Sequence, residues 1–350
     1  MKDLQMISEL IAPAPNQIGW REVPYSPLMP HQIRVRAHYG AAKHGTEMSL
    51  FNGTASTRGG YDTTLRLHRP ELPGVTFPVR LGNIIVGEVI EVGSEVTRHA
   101  VGDLVFGYGS FAQEHVWPET VRRLPPGVSW QAACCLDPVE FALGALRDGN
   151  VRIGDAVAVF GMGAIGLFVV QLAKLAGAYP VIAVDPLASR RELALQCGAD
   201  KVIDPSNTDT GLVIKESTEG RGADVCIEYS GSHHALNAAL RGVAYLGTVV
   251  AGAWPGVYPS GLDFGAEAHM NRPRIVFSRA CSEPNPDYPN WNEDRIFDVA
   301  WRYLASGQLL TVPIIQPIVD FKDLPEVYPK IALTPHEIIK LGVRFPDAPA

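Results

Sequence analysis

The sequence predicts an α/β protein in which a doubly wound parallel sheet is set into a second, β-rich unit. Three observations carry this. Between residues 156 and 251, short apolar runs alternate with helix-like segments, the rhythm of βαβ units. A glycine-rich turn, Gly161-Met162-Gly163-Ala164-Ile165-Gly166, separates one of these runs from an apolar helix. The first third of the chain instead shows short strands punctuated by Gly and Pro, and a strand-like pattern returns near the C-terminus.

In the first third, residues 33–38, 83–92, 103–106 and 113–117 read as strands of a small, mostly antiparallel structure. Residues 53–79, with Gly59-Gly60, three prolines, Arg58, Arg66, His68 and Arg69, read as an extended loop near a cleft. Residues 131–147 look helical with an interruption at Pro138. Strands follow at 156–160, 181–185, 201–203, 223–229 and 248–251, with helices at 167–176, 190–197 and 234–243. Beyond residue 278 the rhythm breaks: a proline-rich loop at 281–292, a helix at 293–306 ended by Gly307, and a strand-like pattern over 331–345. The expected division is 1–144, 145–283 and 284–350, the last returning to the first unit.

Length and charge narrow the class. The 350 residues suit two domains. Thirty Lys and Arg against 37 Asp and Glu leave a net charge of −7, which attracts neither nucleic acid nor an anionic membrane. No apolar run approaches the ~20 residues of a membrane span, and the start does not resemble a signal peptide. Five cysteines at irregular spacing do not form a disulfide framework and read as small packed hydrophobes. The expectation is a cytoplasmic protein acting on a small molecule.

The turn at 161–166 is G-x-G-x-x-G, the dinucleotide-binding pattern of a Rossmann fold. Gly161 permits the tight turn, Gly163 admits a pyrophosphate close to the backbone, and Gly166 allows close packing of helix on strand. Ala164 and Ile165 open the helix, whose N-terminal N–H groups face the phosphates. Asp185 ends the next strand nineteen positions after the last glycine, close to the spacing of about 20 at which a carboxylate binds ribose hydroxyls. Such a carboxylate repels a 2′-phosphate, so NAD is expected over NADP. Arg190 and Arg191 lie close enough in sequence to approach the adenosine.

The chain resembles the medium-chain dehydrogenase/reductase superfamily over roughly residues 30–345. The resemblance rests on Leu81-Gly82, Gly87-Glu88-Val89, Glu91-Val92-Gly93, Val101-Gly102-Asp103-Leu104-Val105 and Gly161–Gly166. It continues through Gly198-Ala199-Asp200, Gly247, Gly252 and Ile339-Lys340. It implies a GroES-like β-barrel catalytic domain made from both ends of the chain, with a Rossmann domain between. It also implies a homodimer or homotetramer joined through the Rossmann sheet. By the same resemblance Lys340 would lie near the pyrophosphate, and Ala251 and Gly252 beside the nicotinamide.

The chain departs from the zinc-dependent members. Where they carry Cys-x-Ser/Thr-Asp, it has His44-Gly45-Thr46-Glu47; where they carry Gly-His-Glu, it has Gly82-Asn83-Ile84; the third ligand position resembles Asp137-Pro138. An amide is a poor zinc ligand and the usual sulfur is missing. No cysteine pair has the spacing of the structural zinc lobe. The expectation is a zinc-free enzyme. His44 then becomes the candidate acid/base, being suited to proton transfer near neutrality. Thr46 would relay the proton and Asn83 would donate a hydrogen bond to the substrate oxygen. Asp137 would orient His44 or bind a hydroxyl, and Lys43 would replace the metal's charge. The leading reading is an NAD-dependent dehydrogenase oxidising a secondary hydroxyl of a sugar, polyol or cyclitol to a ketone. The alternatives are a zinc-free NADPH-dependent quinone or enoyl reductase, and a dinucleotide-binding sensor without turnover.

Overall fold

The computed structural model describes residues 6–258, 261–279, 287–334 and 336–349. The chain divides into two compact units, Met1–Cys134 with Ile315–Ala350, and Cys135–Ile314.

The central unit holds a six-stranded parallel sheet. Its spatial order is Lys201–Ile203, Val181–Val184, Val157–Phe160, Ala223–Glu228, Val243–Ala251, Arg274–Phe277. Val157–Phe160 and Val181–Val184 are buried at every position, as strands covered by helices on both faces must be. The strand order reverses between Val157–Phe160 and Ala223–Glu228. Ligands of such sheets bind beyond the carboxyl ends at this reversal.

Three elements of this unit escape the sequence reading: Thr210–Glu216, Glu267–Asn271 and Arg274–Phe277. Thr210–Glu216 is only seven residues long, yet Asp209 caps it by accepting from Leu212 N–H at 3.1 Å. Arg274–Phe277 is a mostly exposed edge strand without apolar alternation. The helix expected over 131–147 is two, Trp130–Cys134 and Leu136–Asp148, broken at Cys135. Pro138 does not interrupt it: the residue lies in the first turn, where N–H groups lack helical partners anyway. Helix Glu293–Ala305 buries Ile296, Ala300 and Leu304, spaced by fours, and packs against Leu136–Asp148. The central unit therefore continues to Ile314, beyond the change of unit expected at residue 284.

The outer unit is β-rich. Its larger sheet runs Arg122–Arg123, Leu104–Tyr108, Ile84–Val92, Gln32–Ala41, Lys340–Arg344, Ile315–Asp320. Strand Gln32–Ala41 pairs along one edge with Ile84–Val92. Along the other it pairs first with Glu114–Pro118 and then with Lys340–Arg344. Register shifts between Arg34 and Val35 and between Ala37 and Tyr39 bend it as it changes partner. A smaller sheet of Gly19–Pro24, Met6–Ala12 and Val79–Arg80 completes the GroES-like unit. The core joins both ends of the chain, with Leu10, Phe51 and Phe111 against Phe321, Tyr328 and Phe345.

Two expectations need correction here. Residues 331–345 are not one strand: Lys330–Leu333 is a helical turn that buries Ile331, and the strand is Lys340–Arg344. Residues 53–79 are not extended. They contain the 3-10 turn Thr54–Arg58 and a hairpin, Gly60–Asp62 with Leu67–Arg69. Asp62 closes that hairpin by accepting from Thr64 and Leu65 N–H, both at 2.9 Å, a turn-forming habit of aspartate. Among the cysteines, Cys134, Cys135, Cys197 and Cys226 are buried and unbridged. Burial pushes the Cys197 and Cys226 thiols up to about 12. Cys281 and part of the loop expected at 281–292 lie outside the described residues. Among the described residues, no helix is long and apolar enough to cross a membrane.

One half-buried imidazole, its Nε2 shut off from solvent, gives the fold a pH dependence. His115 stacks on Trp117 with ring centroids 5.1 Å apart. Desolvation pushes its pKa down to about 4. The unfolded chain protonates this ring below about 6.5 while the folded one resists, so stability is intact above that value and falls toward pH 4. The difference is on the order of 2–3 kcal/mol. Urea unfolding of wild type and His115→Gln at pH 7 and pH 4 is expected to show a shallower fall in the variant. Equal falls would place the pH dependence elsewhere.

Candidate active site

In the central unit, strand Val157–Phe160 ends on Gly161, whose φ is +89°; a Cβ there would lie 2.7 Å from Ser230 N. At Gly166 a Cβ would lie 1.9 Å from the Gly161 carbonyl oxygen, so helix and turn could not approach as they do. At Gly163 a Cβ would meet nothing within 4 Å. The two outer glycines are thus demanded by the protein itself, and the middle one opens on space. Gly163 is the N-cap of helix Ala164–Leu175, without a side-chain cap. That leaves the N-terminal N–H groups and the positive end of the helix dipole for an anionic ligand. A dinucleotide pyrophosphate fits this cradle.

Asp185 follows strand Val181–Val184 and is 3% exposed. Its Oδ2 accepts from Met162 N–H inside the glycine turn at 2.7 Å, and its Oδ1 from Leu187 N–H at 2.9 Å. The carboxylate is therefore fixed beside the turn. Arg190 Nη1 stands 3.9 Å from Asp185 Oδ2. Arg191 is engaged elsewhere: it donates to the Asp185 backbone carbonyl at 2.8 Å and pairs with Asp204 at 3.1 Å.

Ala251 ends its strand, and Gly252 follows it next to Tyr229. A Cβ on Gly252 would lie 2.4 Å from the Tyr229 ring, whose hydroxyl donates to the Phe141 carbonyl at 3.1 Å. Glu228, 1% exposed, accepts from Ser230 and Gly231 N–H and ties the turn after its strand. Burial pushes its carboxyl above the usual range, against those hydrogen bonds. Asp137 is also buried, in the first turn of Leu136–Asp148.

In the outer unit, His44 opens helix His44–Phe51. Its Nε2 accepts from Leu341 N–H at 2.9 Å. A nitrogen that accepts carries no proton, so in the neutral ring the proton is on Nδ1. The Lys340 ammonium, 3% exposed, donates to the Ala42 carbonyl at 2.6 Å. Thr46 is half-buried on the same helical turn as His44. Asn83 is 7% exposed, and no donor among the described residues reaches its Oδ1.

Glu47 links these pieces and was not among the residues expected to matter. Its Oε1 accepts from Lys43 N–H at 2.5 Å, and its Oε2 from Gly82 N–H at 3.2 Å and from the Tyr328 hydroxyl. Burial raises its carboxyl above the usual range, while the Tyr328 hydrogen bond pulls the other way. The sequence does flag Glu47, as the acidic residue closing His44-Gly45-Thr46-Glu47. It does not flag Tyr328, 281 residues away.

The donor set fits zinc poorly. His44 Nε2 is already engaged by Leu341 N–H, and Asn83 offers an amide in place of an imidazole. Among the described residues, no group of three or more His, Cys, Asp or Glu is placed to hold a metal.

Comparison with known proteins covers nearly the whole chain. Residues 30–124 match the alcohol dehydrogenase GroES-like domain, and residues 164–293 match the zinc-binding dehydrogenase family. The D-guloside 3-dehydrogenase of Escherichia coli (strain K12) is 42% identical over 350 residues, covering 97% of this chain and 100% of that protein. Two solved structures share the fold. A dehydrogenase of Sinorhizobium meliloti 1021 bound to NADP has a TM-score of 0.78 at 23% identity, covering 97% of this chain and 99% of that one. The 2R,3R-butanediol dehydrogenase of Bacillus subtilis has a TM-score of 0.76 at 21% identity, with the same coverage. The glycine turn, the outer β unit built from both chain ends and the full-length match agree: the chain belongs to the medium-chain dehydrogenase/reductase superfamily, oxidoreductases that act on CH–OH groups with NAD(P).

Proposed function

We propose that the protein is an NAD-dependent, zinc-independent dehydrogenase that oxidises a secondary hydroxyl of a sugar or glycoside to a ketone. The observation that carries the coenzyme choice is Asp185, whose carboxylate is locked against the glycine turn by Met162 and Leu187 N–H. There it can accept from ribose hydroxyls and repel a 2′-phosphate. The sugar class rests on the relative named D-guloside 3-dehydrogenase, similar over its whole length. Bound in the cradle of Gly161, Gly163 and Gly166, with Ala251 and Gly252 beside its reactive ring, NAD supplies the hydride acceptor.

The chain's own residues manage the oxygen. His44 was expected to take the carbinol proton. With Nε2 accepting from Leu341 N–H, the ring could take it only by giving up that bond. His44 instead acts as a donor from Nδ1, holding the oxygen as charge develops on it. Asn83 Oδ1 accepts from a substrate hydroxyl, and the Thr46 hydroxyl relays the departing proton toward water. Asp137 binds a further hydroxyl.

The test is coenzyme titration by fluorescence together with elemental analysis of protein purified without chelator. NAD(H) is expected to bind tighter than NADP(H) by roughly 10- to 100-fold, the worth of one charge-assisted hydrogen bond. Dialysis against EDTA is expected to leave turnover unchanged. One zinc per chain, lost together with activity, would overturn the metal-free reading. Arg190, 3.9 Å from Asp185, is the observation that favours the other coenzyme. An NADPH preference would redirect the search to quinones and enones.

A further inference from the structure

The turn that carries His44 is held from both ends of the chain. Ala42 exchanges two bonds with the C-terminal strand: its carbonyl accepts from Lys340 Nζ at 2.6 Å, and its N–H donates to the Leu341 carbonyl at 3.0 Å. Lys43 N–H donates to Glu47, and the His44 ring accepts from Leu341 N–H. The Glu47 carboxylate also receives Gly82 N–H, directly ahead of Asn83, and the Tyr328 hydroxyl. One carboxylate thus touches the segments bearing His44 and Asn83, and Tyr328 anchors it from the bottom of the core, where it is fully buried.

Packing alone does not require this. Burying a carboxylate is costly, and apolar side chains of similar volume would fill the same space at lower cost. What a carboxylate adds is direction: its lone pairs accept along defined lines and fix the three donors relative to one another. The helix it serves needs that, since its N-cap, Lys43, supplies no side-chain cap and its first turn contains Gly45.

We propose that Glu47 and Tyr328 are positioning residues for the reaction. The Tyr328 hydroxyl holds the carboxylate, and the carboxylate holds the backbone on either side of the catalytic turn, so that His44 keeps its Nδ1–H form and Asn83 its place. This rests on the reading of His44 as the residue that contacts the substrate oxygen.

The test compares Tyr328→Phe, Glu47→Gln and His44→Ala. Tyr328→Phe removes one oxygen and leaves the ring packed, so it folds even where Glu47→Gln does not. Turnover is measured on methyl D-guloside, coenzyme binding by NADH fluorescence, and the His44 ring by its imidazole 15N signals. Tyr328→Phe is expected to lower kcat by roughly 10- to 100-fold, as small misplacements of a catalytic group do. Substrate KM and NADH affinity are expected to stay within about twofold of wild type. The wild-type ring is expected to show a single Nδ1–H form, and the variant a mixture of tautomers. Wild-type kcat and an unmixed ring in Tyr328→Phe, with only a lower melting temperature, would overturn the proposal. Full turnover in His44→Ala would overturn the role of His44 instead. The 15N signals decide the positioning pair in either case.

Discussion

His44→Ala is expected to lower kcat by about 100- to 1000-fold, the usual loss on removing a donor aimed at a developing oxyanion, while NADH binding is retained. The ring's Nε2 accepts from Leu341 N–H, so in the neutral ring the proton lies on Nδ1. A donor role and a base role differ in pH behaviour. A general base would impose an acid limb near the ordinary histidine value of about 6.5 on kcat/KM. A ring that only donates from Nδ1 does so neutral or protonated, so that role imposes no such limb. His44→Asn places an amide near the Nδ1 position and is expected to recover part of the loss; His44→Gln, which reaches the Nε2 position instead, is not. An acid limb in wild type that disappears in His44→Ala, with no recovery in His44→Asn, would restore the base role.

The second large effect is expected from Gly166→Ala. A methyl there would lie 1.9 Å from the Gly161 carbonyl oxygen, far inside contact distance. Either the helix Ala164–Leu175 moves away from the strand or the turn opens; both dismantle the cradle. NADH binding is expected to fall below detection in fluorescence titration, with a loss of stability of about 1–3 kcal/mol, the range for overpacking a close contact. Gly163→Ala is the matching control. Its Cβ meets no protein atom within 4 Å, so stability is expected to hold while coenzyme affinity drops. Unchanged affinity in both variants would remove the pyrophosphate from this turn.

Much of the central unit was legible in the sequence because its signals are local. The turn Gly161–Gly166 and the flanking apolar runs lie within some twenty residues, and Asp185 follows at a fixed spacing. The short helix Thr210–Glu216 was missed because seven residues carry little periodicity, and its Asp209 cap shows only in the fold. The hairpin inside 53–79 was missed for a similar reason. Its strands are three residues each, and the aspartate that closes their turn looks like any loop residue. The break at Cys135 was misplaced to Pro138 because a proline in a first turn and a proline in a helix interior look alike until the start of the helix is known.

By itself the sequence determined the parallel sheet, the glycine turn, the carboxylate at its edge and the departure from a zinc ligand set. Each follows from side-chain size, backbone freedom or donor chemistry at positions that are close together or matched residue by residue. Only the tertiary structure decided the state of the turn that carries His44. Leu341 N–H reaches His44 across 297 residues, Lys340 reaches Ala42 across 298, and Tyr328 reaches Glu47 across 281. Those bonds set which nitrogen of His44 carries its proton and turn Lys340 toward Ala42. They depend on the C-terminal strand Lys340–Arg344 pairing with Gln32–Ala41, a choice of partner made by the shared core and not by any local pattern.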